Sequence, residues 1–298
     1  MRITRILCPV DQSECSGKAL RYAAALARTH HAALDVVTVI VNVIPPPVPE
    51  LAMMPIFVSN ELKAAAASAL QDFIESCGVT PATAQVVESA APVMGITDYA
   101  RHTGADLIVI GTHGVAGFDR LVFGSTTERV MHDAACPVLT IPPTAREVTT
   151  GEVLRWGRIL CAYDFSPSSM AALEMGRSLA QEERGKVTLL HVLEMLAPEE
   201  AHIVAHYEVG EYVRMRQQDA RRQLRAVMPD ETGTWRDPCD RIELGSASKT
   251  ILRVAENMNA DLIVMGAQGR GTFGSLILGS TTHTVVRRAT CPVLTARG

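Results

Sequence analysis

The chain has 298 residues, a formal net charge of −4, and 47% apolar but only 4% aromatic residues. Two domains of roughly 150 residues fit this length, each burying a core of Ala, Val, Ile and Leu. The slight acidity and the lack of a Lys/Arg run argue against a nucleic-acid binder. No apolar run reaches the roughly 18 residues of a membrane span. With no signal-peptide pattern at the start, a soluble cytoplasmic protein is expected.

In chain order, the first half alternates strands and helices. The pattern predicts a strand near 3–10, a helix near 14–28, a strand near 34–43, a helix near 60–77, a strand near 82–88, a helix near 92–103, a strand near 105–110, a helix near 125–134 and a strand near 137–141. Pro142, Pro143 and the polar stretch after them read as a linker, 144–155. The second half repeats the series: strand 158–163, helix 167–182, strand 186–193, helix 210–228, strand 240–244, helix 247–258, strand 261–265, helix 280–289 and strand 292–296. Leu107-Ile108-Val109-Ile110 and Leu262-Ile263-Val264-Met265 lack polar alternation, as strands covered on both faces do. Strand–helix alternation implies right-handed crossovers and a parallel α/β sheet. Domains are expected at 1–143 and 156–298.

The halves repeat in letter as well as in pattern. Ala105-Asp106-Leu107-Ile108-Val109 returns as Ala260-Asp261-Leu262-Ile263-Val264, and Cys136-Pro137-Val138-Leu139-Thr140 as Cys291-Pro292-Val293-Leu294-Thr295, both 155 residues later. Such an offset marks a tandem duplication of a whole domain, since solenoid periods are 20–50 residues. Seven Cys without a Cys-x-x-Cys pair give no zinc site. Cys8, Cys161, Cys136 and Cys291 occupy repeat positions in or beside strands and read as buried thiols, whereas Cys15, Cys77 and Cys239 have no repeat partner and are the candidates for exposed thiols. The Arg-rich stretch 214–225 reads as a solvated helix face. Each half carries an insertion after its second strand. The first contains Pro45-Pro46-Pro47-Val48-Pro49 and an apolar stretch 51–57, a lid or an interface patch, and its counterpart is 197–209.

The chemistry lies in the repeated glycines. Gly111-Thr112-His113-Gly114, nine residues, then Gly124-Ser125 ends the fourth strand and opens a helix, and Gly266-Ala267-Gln268-Gly269, nine residues, then Gly279-Ser280 does so again. Glycine lets backbone approach a ligand, and successive N–H groups form an anion-binding concavity at the positive end of a helix. The hydroxyls of Ser125, Thr126, Ser280 and Thr281 either donate to phosphate or cap the helix. Gly269-Arg270-Gly271-Thr272-Phe273-Gly274 spells a dinucleotide fingerprint but follows the fourth strand, not the first. His113 has Gln268 as its repeat partner, so a general-base role is not expected. His191 reads as a satisfied core or interface group.

These two Gly-x2-Gly-x9-Gly-Ser motifs, the strand-one Asp11 and Asp164, and the terminal Cys-Pro-Val strands make the chain resemble the ATP-binding branch of the universal stress protein family over its whole length. The resemblance implies, for each half, a five-stranded parallel sheet of order 3-2-1-4-5 with helices on both faces. It implies a ligand at the strand-order switch between strands 1 and 4. Asp11 and Asp164 would then contact adenosine, and Val39 and Val192 would meet the adenine. Gly111, Gly114, Gly124 and Ser125, with Gly266, Gly269, Gly279 and Ser280, would hold ribose and phosphates. The halves depart from each other at Gly245 against Ala90, and at Arg120 against Arg270, which face phosphate or solvent. Each repeat is thus expected to bind ATP, with Mg²⁺ inferred only from the triphosphate, in a stress-response regulatory protein. The repeats are expected to pair as an intramolecular pseudo-dimer through the Cys-Pro-Val strands, with two such chains pairing further. The alternatives are a slow ATPase or phosphotransfer enzyme on the same sites, and a nucleotide-free dimerisation scaffold.

Overall fold

The structure, a computed structural model, describes residues 3–42, 59–80, 82–114, 124–194, 209–228, 235–269 and 278–297. It divides into two compact units, Arg2–Leu154 and Arg155–Gly298. The first unit runs β1 (Arg5–Pro9), α1 (Glu14–His30), β2 (Ala33–Val41), α2 (Asn60–Ser76), β3 (Thr83–Ser89), α3 (Pro92–Thr103), β4 (Leu107–Gly111), α4 (Ser125–Asp133) and β5 (Val138–Ile141). Its strands are parallel, in the order β3-β2-β1-β4-β5. The second unit runs β6 (Arg158–Ala162), α5 (Pro167–Glu183), β7 (Lys186–Leu193), α6 (Val209–Val227), β8 (Trp235–Leu244), α7 (Ala247–Asn257), β9 (Leu262–Gly266), α8 (Ser280–Arg288) and β10 (Val293–Ala296). It repeats the topology as β8-β7-β6-β9-β10. Both units are therefore the α/β fold expected from the repeat.

The central strands are buried from end to end, as their unbroken apolar letters require: β4 and β9 have no half-exposed residue. The repeated Asp of Ala-Asp-Leu-Ile-Val ties the start of the first strand to the fourth. Asp106 Oδ2 accepts from Thr4 N (2.7 Å), Thr4 Oγ1 (2.6 Å) and Arg5 N (2.9 Å), and Asp261 Oδ2 accepts from Arg158 N (2.8 Å). Burial works to raise the Asp106 carboxyl, but the Thr4 and Arg5 donors outweigh it and hold it below the ordinary range.

Element ends agree with the sequence reading to within about two residues, with one exception. β8 begins at Trp235 rather than near 240. Its ladder with β7 jumps from Val187↔Trp235 to Leu189↔Asp240, so two steps on β7 face five on β8. Pro238 lies in that slack, where its missing N–H breaks no regular ladder bond.

The stretch expected to be a linker is packed on α1. Lys18 Nζ, nearly buried, donates to the carbonyls of Pro143 (2.6 Å) and Ala145 (2.9 Å) and pairs with Glu147 (2.7 Å). Tyr22 Oη donates to Arg146 O (3.0 Å) and Arg28 to Glu152 O (3.1 Å), and Leu154 is fully buried. The polar letters of 144–152 are partners for α1 rather than signs of a free tether.

The cysteine reading needs correction. Cys15 and Cys77 are buried, not exposed, while Cys136 and Cys291 are half-buried. Cys15 lies on the buried face of α1 and Cys77 closes α2 against it, with Cys77 Sγ 3.4 Å from where a Cβ on Gly17 would stand. Burial pushes the Cys161 and Cys291 thiols up to about 12 and Cys136 to about 11. The Cys239 side chain lies outside the described residues.

Gly176 sits in the interior of α5, where a Cβ would meet Ile159 Cγ2 and Val264 Cγ2 at 3.7 Å, an ordinary contact. Gly176→Ala should therefore stabilise the protein by about 0.5–1 kcal/mol by removing a helix-interior glycine. The check is a higher denaturant midpoint at unchanged slope.

Candidate functional site

The site residues of each half converge at the carboxyl ends of the first and fourth strands, where strand order reverses. In the first unit Asp11, Val39, Gly111, Gly114, Gly124, Ser125 and Thr126 all line one cavity of about 480 Å³. In the second, Asp164, Val192, Gly266, Gly269, Gly279, Ser280 and Thr281 line one of about 770 Å³. Both volumes lie within the roughly 300–1,000 Å³ of small-molecule pockets.

The strand-to-helix turn that carries each Asp is built alike. Asp11 Oδ1 accepts from Ser13 N (3.1 Å) and Ser13 Oγ (2.6 Å), while Ser13 Oγ accepts from Ser16 N (3.2 Å) and caps α1. Asp164 holds Ser166 N (3.0 Å) and Oγ (2.6 Å), and Ser166 caps α5. Between Asp and Ser the chain takes the left-handed conformation, φ 63° at Gln12 and 65° at Phe165. This conformation costs a non-glycine residue about 1 kcal/mol or more. Two unlike side chains share it, so the turn and not the residue type sets the geometry. It aims the second carboxylate oxygen at the glycine loop. A Cβ on Gly114 would stand 2.6 Å from Asp11 Oδ2, and one on Gly269 would stand 2.9 Å from Asp164 Oδ2.

The first glycine of each motif has a packing reason. A Cβ on Gly111 would lie 2.9 Å from Cys15 Sγ and 3.1 Å from the Cys15 backbone, and one on Gly266 2.9 Å from Ser168 C and Ser169 N. The first turns of α1 and α5 thus press on the ends of β4 and β9, which brings the Asp turn against the glycine loop.

Helices α4 and α8 begin at Gly124 and Gly279, with no side-chain cap bond. Ser125 and Ser280 are the first helical residues, not the caps. First-turn N–H groups with no side-chain partner are donors for an anion. Thr127 and Thr282, which the sequence reading passed over, fix these helices by donating to Gly111 O (2.7 Å) and Gly266 O (2.8 Å). Their signal was present, as the last letter of the twice-used Gly-Ser-Thr-Thr.

His113 lines the first cavity, with Nδ1 2.9 Å from Thr112 Oγ1, and Gln268 lines the second. His191 has the satisfied, buried setting expected of it, its Nδ1 2.7 Å from Tyr163 O, yet it also lines the second cavity. Arg216 does too, although most of the arginines on its helix are exposed as predicted. Arg120, Arg270, the glycine run to Gly274 and the insertions at 45–57 and 197–208 lie outside the described residues. Among the described residues no helix is long and apolar enough to cross a membrane.

Comparison with known proteins agrees with this architecture. A universal stress protein from Mycolicibacterium smegmatis is 25% identical over 307 aligned residues, covering 98% of this chain and 96% of its own. A solved universal stress protein from Archaeoglobus fulgidus has the same fold: TM-score 0.61, 24% identity, 98% of this chain and 96% of that chain. Another solved member of the family was determined in complex with cAMP; it is 20% identical and covers 47% of this chain and 98% of its own, with a TM-score of 0.35. The model of the universal stress protein family matches twice, at residues 2–142 and 155–297, so the chain belongs to the universal stress protein family as a tandem member.

Proposed function

We propose that each unit binds one adenine nucleotide, with ATP as the ligand, and that the protein is a nucleotide-responsive regulator of the stress response rather than a catalyst. The observation that carries this reading is the pair of glycine-capped helices, α4 and α8, whose first turns open on a cavity lined also by a carboxylate and a β-branched side chain. The helix end suits phosphate, Asp11 and Asp164 suit a donor on the nucleoside, and Val39 and Val192 suit the face of a base. Gly114 and Gly269 keep open the space that a ligand would occupy beside each Asp. Asp11 and Asp164 each hold the following Ser through one oxygen, which suits a fixed binding group better than a proton carrier. Among the described residues no group of three His, Cys, Asp or Glu is placed to hold a metal ion, so Mg²⁺ is proposed only as companion of the triphosphate.

The test is to denature freshly purified protein and chromatograph what it releases. One ATP per unit is the expected result. ADP or AMP in its place would indicate turnover on the same sites. An empty protein that also fails to bind added ATP would overturn the reading and favour a scaffold.

A further inference from the structure

The two cavities differ at the end away from the glycine loop. In the second, β7 contributes His191, Glu194 follows it, and α6 contributes Arg216. The equivalents of the first two are Thr38 and Val41, and among the described residues no Lys or Arg lines the first cavity. The second cavity is also larger, about 770 against 480 Å³. Its added groups are held in place. A carbonyl only accepts, so the 2.7 Å contact with Tyr163 O puts the proton on His191 Nδ1 and fixes the ring, which Phe165 meets edge-on at 4.7 Å. Arg216 Nη1 donates to Tyr212 Oη (3.2 Å), and its guanidinium lies 5.9 Å from that ring. Glu194 is engaged by the backbone N–H of Ala247 (3.0 Å) at the start of α7.

We propose that the second site takes a nucleotide bearing a further anionic group besides its 5′-phosphates, and that Arg216 receives that group. The inference rests on the nucleotide reading above. One anion-attracting feature, the start of α8, stands at the end of β9. The other, Arg216, comes from α6, which packs on β7 and β8. β7 is two strands from β9 in the order β7-β6-β9, roughly 10 Å at the usual strand spacing. A nucleoside with phosphate on both its 5′ and 3′ oxygens carries two anionic groups on one ribose, a shorter span than this, and Arg216, whose long side chain lines the cavity from α6, supplies the remaining reach. Glu194 does not favour an anion and is turned to the Ala247 N–H, so the preference falls to Arg216; with no Lys or Arg among the described residues of its lining, the first site offers such a group no countercharge. Arg216 is thus a specificity-determining residue of one repeat only.

The test uses the full chain carrying Gly114→Glu, which blocks the first site, and compares AMP with adenosine 3′,5′-bisphosphate by titration calorimetry. The bisphosphate should bind roughly ten- to a hundredfold more tightly, the worth of one charge-assisted hydrogen bond. Arg216→Gln should bring the two affinities to within about twofold of each other, while Arg216→Lys keeps part of the preference. Should Gly114→Glu fail to fold, the same ratio is read at the tighter class of sites on the unsubstituted chain. Equal affinities for the two probes, or a preference that survives Arg216→Gln, overturn the inference. If ATP binds but the bisphosphate is not preferred, this inference alone falls. If no adenine nucleotide binds at all, the nucleotide reading falls and takes this one with it.

Discussion

The double variant Gly114→Glu/Gly269→Glu is expected to lose at least about a hundredfold in ATP affinity, or roughly 2.7 kcal/mol per site. The reason is local. A Cβ at either position would come within 2.6 or 2.9 Å of the Asp carboxylate, so a Glu side chain must turn into the cavity. There it places a second negative charge beside Asp11 or Asp164 and in the path of the phosphates. Each glycine borders the cavity rather than the core, so circular dichroism and thermal melting should show a retained fold. Calorimetric titration gives the affinity. The single variants should each halve the binding stoichiometry. Tight ATP binding by a folded double variant would show that the glycine loops do not hold the nucleotide.

The largest loss of stability is expected from a glycine with no role in the site. Gly185 follows α5, whose last turn closes through the left-handed Arg184, φ 55°. It donates to Ala180 O (2.8 Å), and Lys186 then donates to Gly157 O (2.9 Å). A Cβ on Gly185 would lie 2.0 Å from the carbonyl oxygen of Trp156 and 3.2 Å from its carbon. The neighbour is backbone, and the Trp156 side chain is itself buried, so no side-chain rotation relieves the clash. Gly185→Ala should destabilise the second unit by about 3 kcal/mol, or lower its melting temperature by roughly 10 °C. The contrast with Gly176→Ala, which adds the same methyl group within α5 itself, is the control. If both alanines behave alike, the close approach of Trp156 is not rigid.

Much of this was legible in the letters. The duplication supplied an internal control, unbroken runs such as Leu107-Ile108-Val109-Ile110 marked the buried strands, and strand–helix alternation pointed to a parallel sheet, whereas the strand order came from the family resemblance. The glycine motifs named one wall of each cavity, because a loop whose Cβ would come within 3 Å of a carboxylate has few options but glycine. What escaped depended on distant partners. Nothing local to Lys18 or Glu147 says that one is buried under the other. Cys15 reads as an ordinary helix residue until β4 is laid across it. Arg216 belongs to a row of arginines that are mostly solvated, and only the path of α6 over β7 singles it out. The left-handed turns at Gln12 and Phe165 were hidden because neither residue type favours that conformation.

The docking of 144–154 on α1 bears on the duplication. The α1 residues that receive this segment, Lys18, Arg21, Tyr22 and Arg28, stand opposite Ala171, Glu174, Met175 and Gln181 in α5. At these four positions α5 carries none of the side chains that grip the junction. The junction is held by the first copy alone, through contacts on α1 that α5 does not repeat. The copies are thus no longer exchangeable parts. A chain with their order reversed would leave a buried ammonium on one helix without its carbonyls and offer the junction no receptor on the other, so sequence divergence between the repeats records their position along the chain as well as any difference in what they bind.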